Sequence, residues 1–354
     1  MKILKVCVGS EVEEHFTLPK DHYLVAESFN RGKPRWYLKK KIINQMSQVN
    51  SLAELGVEVF FGFLSSRRSL KDLFCFGLYL KAMVRQKEVE LVHVHWGSTT
   101  AFVAVLFSPV PVIVSFCGSD LMGTVDARGR KTCLGAVSSL ASQIAALGAR
   151  RIITKSMVLK KTLWPMSRQK CVVIPNGVDL AAFYPIDRDK ARARLGWPGK
   201  DRIIIFFSSG GAAVKDQVLA EKVFSIVQDR MPDVQLKLVD DVPHEDLVYY
   251  YNAADLMLLT SYHEGSNNSL KEAMCCNLPV VSVDCGDARE RLEGVSNSWV
   301  EKSRNPYALA QRIFEIFNSR HRSDGRTKVE NISEEKVACR IKAVYEEVIM
   351  SKER

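Results

Sequence analysis

The sequence has 354 residues and a mass of 39.9 kDa, too long for one ordinary domain and suited to two. Hydrophobic residues make up 47% and charged residues 25%, which excludes disorder, collagen-like repeats and coiled coil for the bulk of the chain. The net charge of +10 is uneven: residues 1–180 hold 25 Lys+Arg against 13 Asp+Glu (+12), and residues 181–354 hold 25 against 27 (−2). Such asymmetry points to an anionic partner: a membrane surface, a nucleic acid or a phosphate-bearing substrate.

The opening MKILKVCVGSE reads as a first strand rather than a signal peptide, because its apolar run is short and meets acids at once. Arg31, Lys33, Arg35, Lys39, Lys40 and Lys41 then cluster around Trp36, Tyr37 and Leu38, with Arg67, Arg68 and Lys71 as an extension. Basic residues beside aromatics suit a membrane surface or an anionic acceptor. A solvated helix face is the plain alternative, and no nucleic-acid-binding module accompanies the cluster.

Leu91 to Ser119 has no Asp, Glu, Lys or Arg over 29 residues, more than a bilayer span. Gly97, Pro109 and Pro111 interrupt it, so the expectation is strand (91–95), helix (99–107), strand (112–116), as in a buried parallel sheet. His93 and His95 share one face of the first strand; His93 is expected in the core and His95 nearer a cleft. Further apolar runs at 3–8, 57–61, 151–154, 172–174, 203–207, 235–239, 256–259 and 279–283 alternate with helical stretches. This alternation implies βαβ units and two doubly wound domains. Pro175, Asn176, Gly177 and Pro185 mark the boundary. The expected division is an N-terminal domain over 1–178, a C-terminal domain over 179–332 and a terminal helix over 333–354. That helix has Ser333 as N-cap, acids in its first turn, and Val337, Ile341, Val344 and Val348 on one face.

Nine cysteines without a CxxC suggest free thiols in a reducing cytoplasm. No GxGxxG after a strand, P-loop, HExxH or GxSxG is present, which weighs against NAD enzymes, P-loop NTPases, zinc enzymes and lipase-like hydrolases.

The densest signal is LMLLTSYHEGSNNSLKEAMCCNLPVVSVDCG (256–286). A strand ends in a polar loop that leads into a helix near Ser269, where an open α/β sheet binds ligands and helix amides favour anions. Glu264 and Glu272 bracket the loop, and ionised carboxylates suit sugar hydroxyls; a solvated loop Glu and a helix-surface Glu are the alternative.

Glu264-x7-Glu272 with EAMCCNLPVV resembles the signature of the retaining GT-B glycosyltransferases of family GT4. VIPNGVDLAAFYP, DVPHEDLVYYYNAADLMLLTS and VSFCGSDLMG resemble further segments of that family, in the right order. The resemblance implies two Rossmann-like domains facing across a cleft, the last helix crossing back to the first domain. It implies a nucleotide sugar held by the C-terminal domain and a sugar or lipid-linked acceptor held by the N-terminal one. No cofactor, metal or nucleic acid is expected.

Under it, Glu272 holds the donor ribose and Glu264 a donor sugar hydroxyl. The Gly265, Ser266, Asn267 and Asn268 loop approaches sugar and phosphates. Lys215 meets the diphosphate, near Gly210, where the family commonly has an arginine. Gly9 and Ser10 face the diphosphate from the other domain. Cys117 stands where the family often has a histidine, and Asp120 and His95 join it on the acceptor or sugar side; capping the next helix is the alternative for Asp120. The implied activity is retaining transfer in polysaccharide or glycoconjugate biosynthesis, in the cytoplasm or on the inner membrane face. The alternative is a catalytically weak nucleotide-sugar-binding partner in a glycosyltransferase complex.

Overall fold

The computed structural model describes residues 1–8, 43–64, 70–197, 199–208, 212–319 and 321–351. Gly9, Ser10, Gly210 and the basic cluster at 31–41 with Arg67 and Arg68 lie outside the described residues. The chain divides into one unit of Met1–Thr124, Thr132–Gly177 and Glu334–Arg354, and a second of Val125–Lys131 and Val178–Ser333.

The first unit holds a six-stranded parallel sheet in the order β2-β1-β3-β4-β5-β6. Its strands are β1 (Lys2–Val8), β2 (Glu58–Leu64), β3 (Leu91–His95), β4 (Val112–Phe116), β5 (Arg151–Thr154) and β6 (Cys171–Val173). β3 and β4 are buried at every position, which is why this stretch lacks charge. The linking helices are α1 (Ile43–Glu54), α2 (Leu70–Gln86), α3 (Ser98–Phe107), α4 (Ser119–Met122), α5 (Cys133–Gly148), α6 (Met157–Thr162) and α7 (Pro165–Arg168). The uncharged stretch is thus strand, helix and strand, and among the described residues no helix is long and apolar enough to cross a membrane.

The second unit holds a five-stranded parallel sheet in the order β11-β10-β9-β7-β8. These strands are β7 (Arg202–Phe207), β8 (Val234–Val239), β9 (Leu256–Leu259), β10 (Val280–Val283) and β11 (Trp299–Glu301). Its helices are α8 (Arg188–Leu195), α9 (Gln217–Arg230), α10 (Leu247–Ala253), α11 (Asn268–Cys275), α12 (Ala288–Leu292), α13 (Pro306–Ser319) and α14 (Gly325–Val329). The sequence reading missed β11, a three-residue edge strand too short for a periodic signal. In this sheet β8 and β9 leave opposite sides of β7, so the strand order reverses between β7 and β9. In the first sheet it reverses between β1 and β3. The carboxyl ends of such strand pairs are where open α/β sheets bind ligands.

The terminal helix α15 (Glu334–Met350) belongs to the first unit and buries Val337, Ile341, Val344, Tyr345 and Val348. Tyr345 Oη lies 2.5 Å from His93 Nδ1, and His93 Nε2 lies 2.7 Å from Ser115 Oγ. His93 is therefore a satisfied core histidine, and burial, with Lys5 and Lys155 adding, holds its pKa well below the usual histidine value. Lys342 Nζ donates to the Leu55 carbonyl at 3.0 Å, and Arg340 to that of Val173 at 2.7 Å.

Replacing Tyr345 with Phe strands a buried ring nitrogen of His93. A loss of about 1–3 kcal/mol in urea-unfolding free energy is expected; an unchanged midpoint and slope would show that this bond does not fasten the helix.

Candidate active site

Two loops converge at the β7/β9 crossover of the second unit. After β7 the chain passes a short 3-10 turn, Ala213–Lys215, and enters α9 through Asp216, in the left-handed region at φ 49°. The Asp216 side chain caps α9 by accepting from the Leu219 amide. After β9, Thr260 Oγ1 donates to the carbonyls of Lys215 and Asp216, at 2.9 Å each. This fastening brings Lys215 Nζ to 2.6 Å from Glu264 Oε1, which also accepts from Ser261 Oγ at 2.8 Å. Lys215 and Glu264 are each about five-sixths buried. Arg304 braces both loops: it donates to the Thr260 and Ser261 carbonyls, pairs with Asp216 and lies 4.4 Å over the Tyr262 ring. No sequence motif announced Arg304, which follows β11.

The Glu264–Asn268 loop is held from beneath. Buried Asp287 accepts from Ser266 Oγ at 2.7 Å and from the Asn267 amide at 3.3 Å. Lys271, also buried, donates to Ser266 Oγ at 2.9 Å. The Asn267 side chain caps α11 by accepting from the Leu270 amide at 2.9 Å. Asn267, expected to offer its amide to a ligand, thus spends that N–H on Asp287, and its side chain on the helix. Gly286 has φ +56°, and a Cβ there would stand 2.8 Å from Glu264 Cβ; only glycine fits beneath Glu264. Next to it, burial pushes the Cys285 thiol up to about 12, with the Glu264 carboxylate adding to the shift.

Glu272, on α11, is buried and partnered. Tyr251 Oη donates to its Oε2 at 2.7 Å, and His244 Nε2 lies 3.5 Å from Oε1. Burial, with the Glu272 charge adding, holds the Tyr251 hydroxyl well above its usual pKa, so it remains a donor. Tyr251 and His244 both lie in the DVPHEDLVYYYNA segment, whose motif resemblance was visible without these roles.

In the first unit, register aligns three side chains. β3 pairs His95 with Ser115, and β4 pairs Phe116 with Thr154. His95, Cys117 and Lys155 therefore lie side by side on one face at the carboxyl ends of β3, β4 and β5. His95 Nε2 is 3.4 Å from Cys117 Sγ. Among the described residues, His95 Nδ1 and Lys155 Nζ are buried without hydrogen-bond partners. Burial lowers the Lys155 pKa, partly offset by Cys117 and Asp120.

Asp120 is occupied differently: its carboxylate accepts from the amides of Gly97, Cys117, Gly118 and Leu121, at 2.7–3.1 Å. It is nearly inaccessible and fastens two strand-end loops. Burial raises its pKa and the four amides oppose the rise. Trp96 (φ 93°) and Ser98 (φ 63°) flank the Gly97 amide that it grips. These are costly conformations for residues with side chains, held by Asp120 and by Ser142 Oγ, which accepts from the Ser98 amide at 2.7 Å.

Residues 22–182 match the family Glycosyltransferase Family 4, and residues 206–319 match Glycosyl transferases group 1. A D-inositol 3-phosphate glycosyltransferase of Mycolicibacterium smegmatis is 28% identical over 160 residues, 38% of this chain and 37% of that protein. One from Catenulispora acidiphila is 26% identical over 174 residues, 39% of this chain and 41% of that protein. The chain thus matches about two fifths of the length of these relatives. Sucrose-phosphate synthase of Thermosynechococcus elongatus has the same fold, with a TM-score of 0.75 at 16% identity over 99% of both chains. HepE of Anabaena, solved with UDP and glucose, gives 0.69 at 15% identity over 98% of this chain and 100% of its own. The two parallel-sheet domains are those of the GT-B glycosyltransferases.

Gly286→Ala is expected to displace Glu264 and to cost about 1–3 kcal/mol, read as a lowered melting temperature; an unperturbed variant would show that the loop does not need the glycine. Lys155 has a folded pKa below its unfolded one, so between the two the unfolded chain binds more protons and stability rises with pH. Lys155→Met should therefore melt higher than wild type at neutral pH, with the gap narrowing as pH climbs towards ~10.4. A gap that does not vary across that range would contradict the buried-ammonium account.

Proposed function

We propose that this chain, a glycosyltransferase of the group 1 and family 4 type by both of its domain matches, moves a hexosyl or N-acetylhexosaminyl group from a nucleotide-diphosphate donor to a glycan, lipid-linked or small-molecule acceptor, with retention at the anomeric carbon. The observation that carries the reading is the 2.6 Å contact of Lys215 Nζ with Glu264 Oε1 at the crossover of β7 and β9. A cation and a carboxylate side by side at these strand ends support a site for a diphosphate and the sugar it carries. As the bond between anomeric carbon and diphosphate oxygen breaks, charge grows on the phosphate oxygens, and the Lys215 ammonium stabilises it without a metal. Glu264 accepts from a hydroxyl of the donor sugar. Glu272, set by Tyr251 and His244, accepts from the ribose hydroxyls. The acceptor hydroxyl bonds the same carbon as that bond breaks and gives its proton to the departing diphosphate oxygen.

The UDP and UDP-glucose complexes of HepE support uridine nucleotides as the first donors to test. Polysaccharide or glycoconjugate assembly in the cytoplasm, on the inner face of the cell membrane, suits the +12 of the first half. Cys117, a weak donor where the family often has a histidine, is the observation that favours the second reading, a nucleotide-sugar-binding partner with little turnover.

A panel of nucleotide sugars tests this through thermal shift and slow donor hydrolysis. One donor should stabilise the protein by mass action and be hydrolysed. Glu272→Ala should weaken that donor about tenfold or more, ~1.4 kcal/mol. Full donor affinity in the variant would sink the assignment of Glu272, and tight binding without turnover would favour the second reading.

A further inference from the structure

One helix of the first unit, α5, is built inside out within its layer. α2 packs on α3, and α3 packs on α5. Glycines set this close spacing: a Cβ at Gly77 would meet the Phe107 ring at 2.5 Å, and one at Gly148 would collide with Val105. A surface helix ordinarily turns its large apolar residues inward. α5 buries Gly135, Ser142, Gln143, Ala145 and Ala146. Its exposed side carries Leu134 (78% exposed), Val137 (61%), Leu140 (53%), Ile144 and Leu147. α3 likewise buries small residues while Leu106 is 66% exposed, and Phe74 on α2 is 55% exposed. Of the 18 exposed large hydrophobic residues described, nine lie on α2, α3 and α5 and four more on or beside α6 and α7, of which α7 packs on α5, so they are concentrated here rather than scattered. Apolar surface of this extent marks an interaction site.

Charge identifies the occupant. α3, α5, α6 and α7 contain no Asp or Glu, and α2 has one, Asp72, against Lys71, Lys81 and Arg85. Exposed Lys81 and Arg85 on α2, and Lys161 and Arg168 on α6 and α7, supply cations on the helices of this layer. Two copies of this face paired about a twofold axis would bring these cations together. An anionic lipid surface receives both features, the side chains of α5 in its interface and the cations at its phosphates. We propose that the outer face of α2, α3 and α5 is the surface by which this protein docks on an anionic phospholipid bilayer. The inference rests on the membrane reading above and names the face that serves it.

The test is co-sedimentation of the full chain with phosphatidylcholine vesicles, with and without phosphatidylglycerol. Wild type should bind the anionic vesicles, and salt should weaken the binding. Leu134→Ser with Val137→Ser should lower vesicle affinity at least tenfold, while the melting temperature and stabilisation by the donor stay near wild type. Lys161→Glu with Arg168→Glu should lower it and flatten the salt dependence. Absence of wild-type binding would overturn both the face and the membrane reading. Unchanged binding in the serine variant, with binding lost in Lys39→Glu, Lys40→Glu and Lys41→Glu combined, would overturn the face and keep the membrane. A wild-type dimer that the serine variant converts to monomer, without vesicle binding, would assign the face to protein contact instead.

Discussion

The site of the second unit depends on the fastening between the strand-end loops after β7 and β9. A single hydroxyl, Thr260 Oγ1, ties the carbonyls of Lys215 and Asp216 to the neighbouring strand, and Arg304 clamps the same loops from the end of β11. Neither residue contributes charge to the Lys215–Glu264 contact, yet both fix the backbone from which it is made. A long lysine side chain gives up rotamer freedom to stay in one place. The two tied loops lower that cost by fixing where the side chain starts and what it meets.

Asp287 and Asp120 do comparable work in the two units. Each is a buried carboxylate that spends its acceptor capacity on the protein itself: Asp287 on Ser266 and the Asn267 amide, Asp120 on four amides. Buried charge is tolerable when every lone pair has a donor. The result is rigid loops at strand ends, including the strained backbone at Trp96 and Ser98, and sites on loops need such support to hold reacting groups in register.

The first unit divides its two sheet faces between different tasks. α15 returns from the end of the chain to pack on α1 and to close His93 against Tyr345. The layer of α2, α3 and α5 presents large apolar side chains outward; α5 and most of α3 turn small ones inward, while α2 also buries Phe76, Leu80, Met83 and Val84. Small residues let these helices approach closely, so the layer is firmly packed despite what it exposes.

Most of the architecture was legible in the sequence, because buried parallel strands must be continuous apolar runs and their crossovers amphipathic or apolar helices. β3, β4, β5 and β9 fall where their runs predict, and the motif resemblance singles out Glu264, Glu272 and Lys215 as candidates. Composition also set the charge imbalance, which local order alone carries. Only the tertiary structure decided the rest, because it depends on contacts between residues far apart in the chain. The pairing of Lys215 with Glu264 arises because β9 adds beside β7 rather than beside β8. Arg304, Asp287 and Tyr251 acquire roles from strand ends that no spacing rule links to the motif. Burial turned Asp120 from a candidate ligand into a brace, and packing between helices left the leucines of α5 facing solvent.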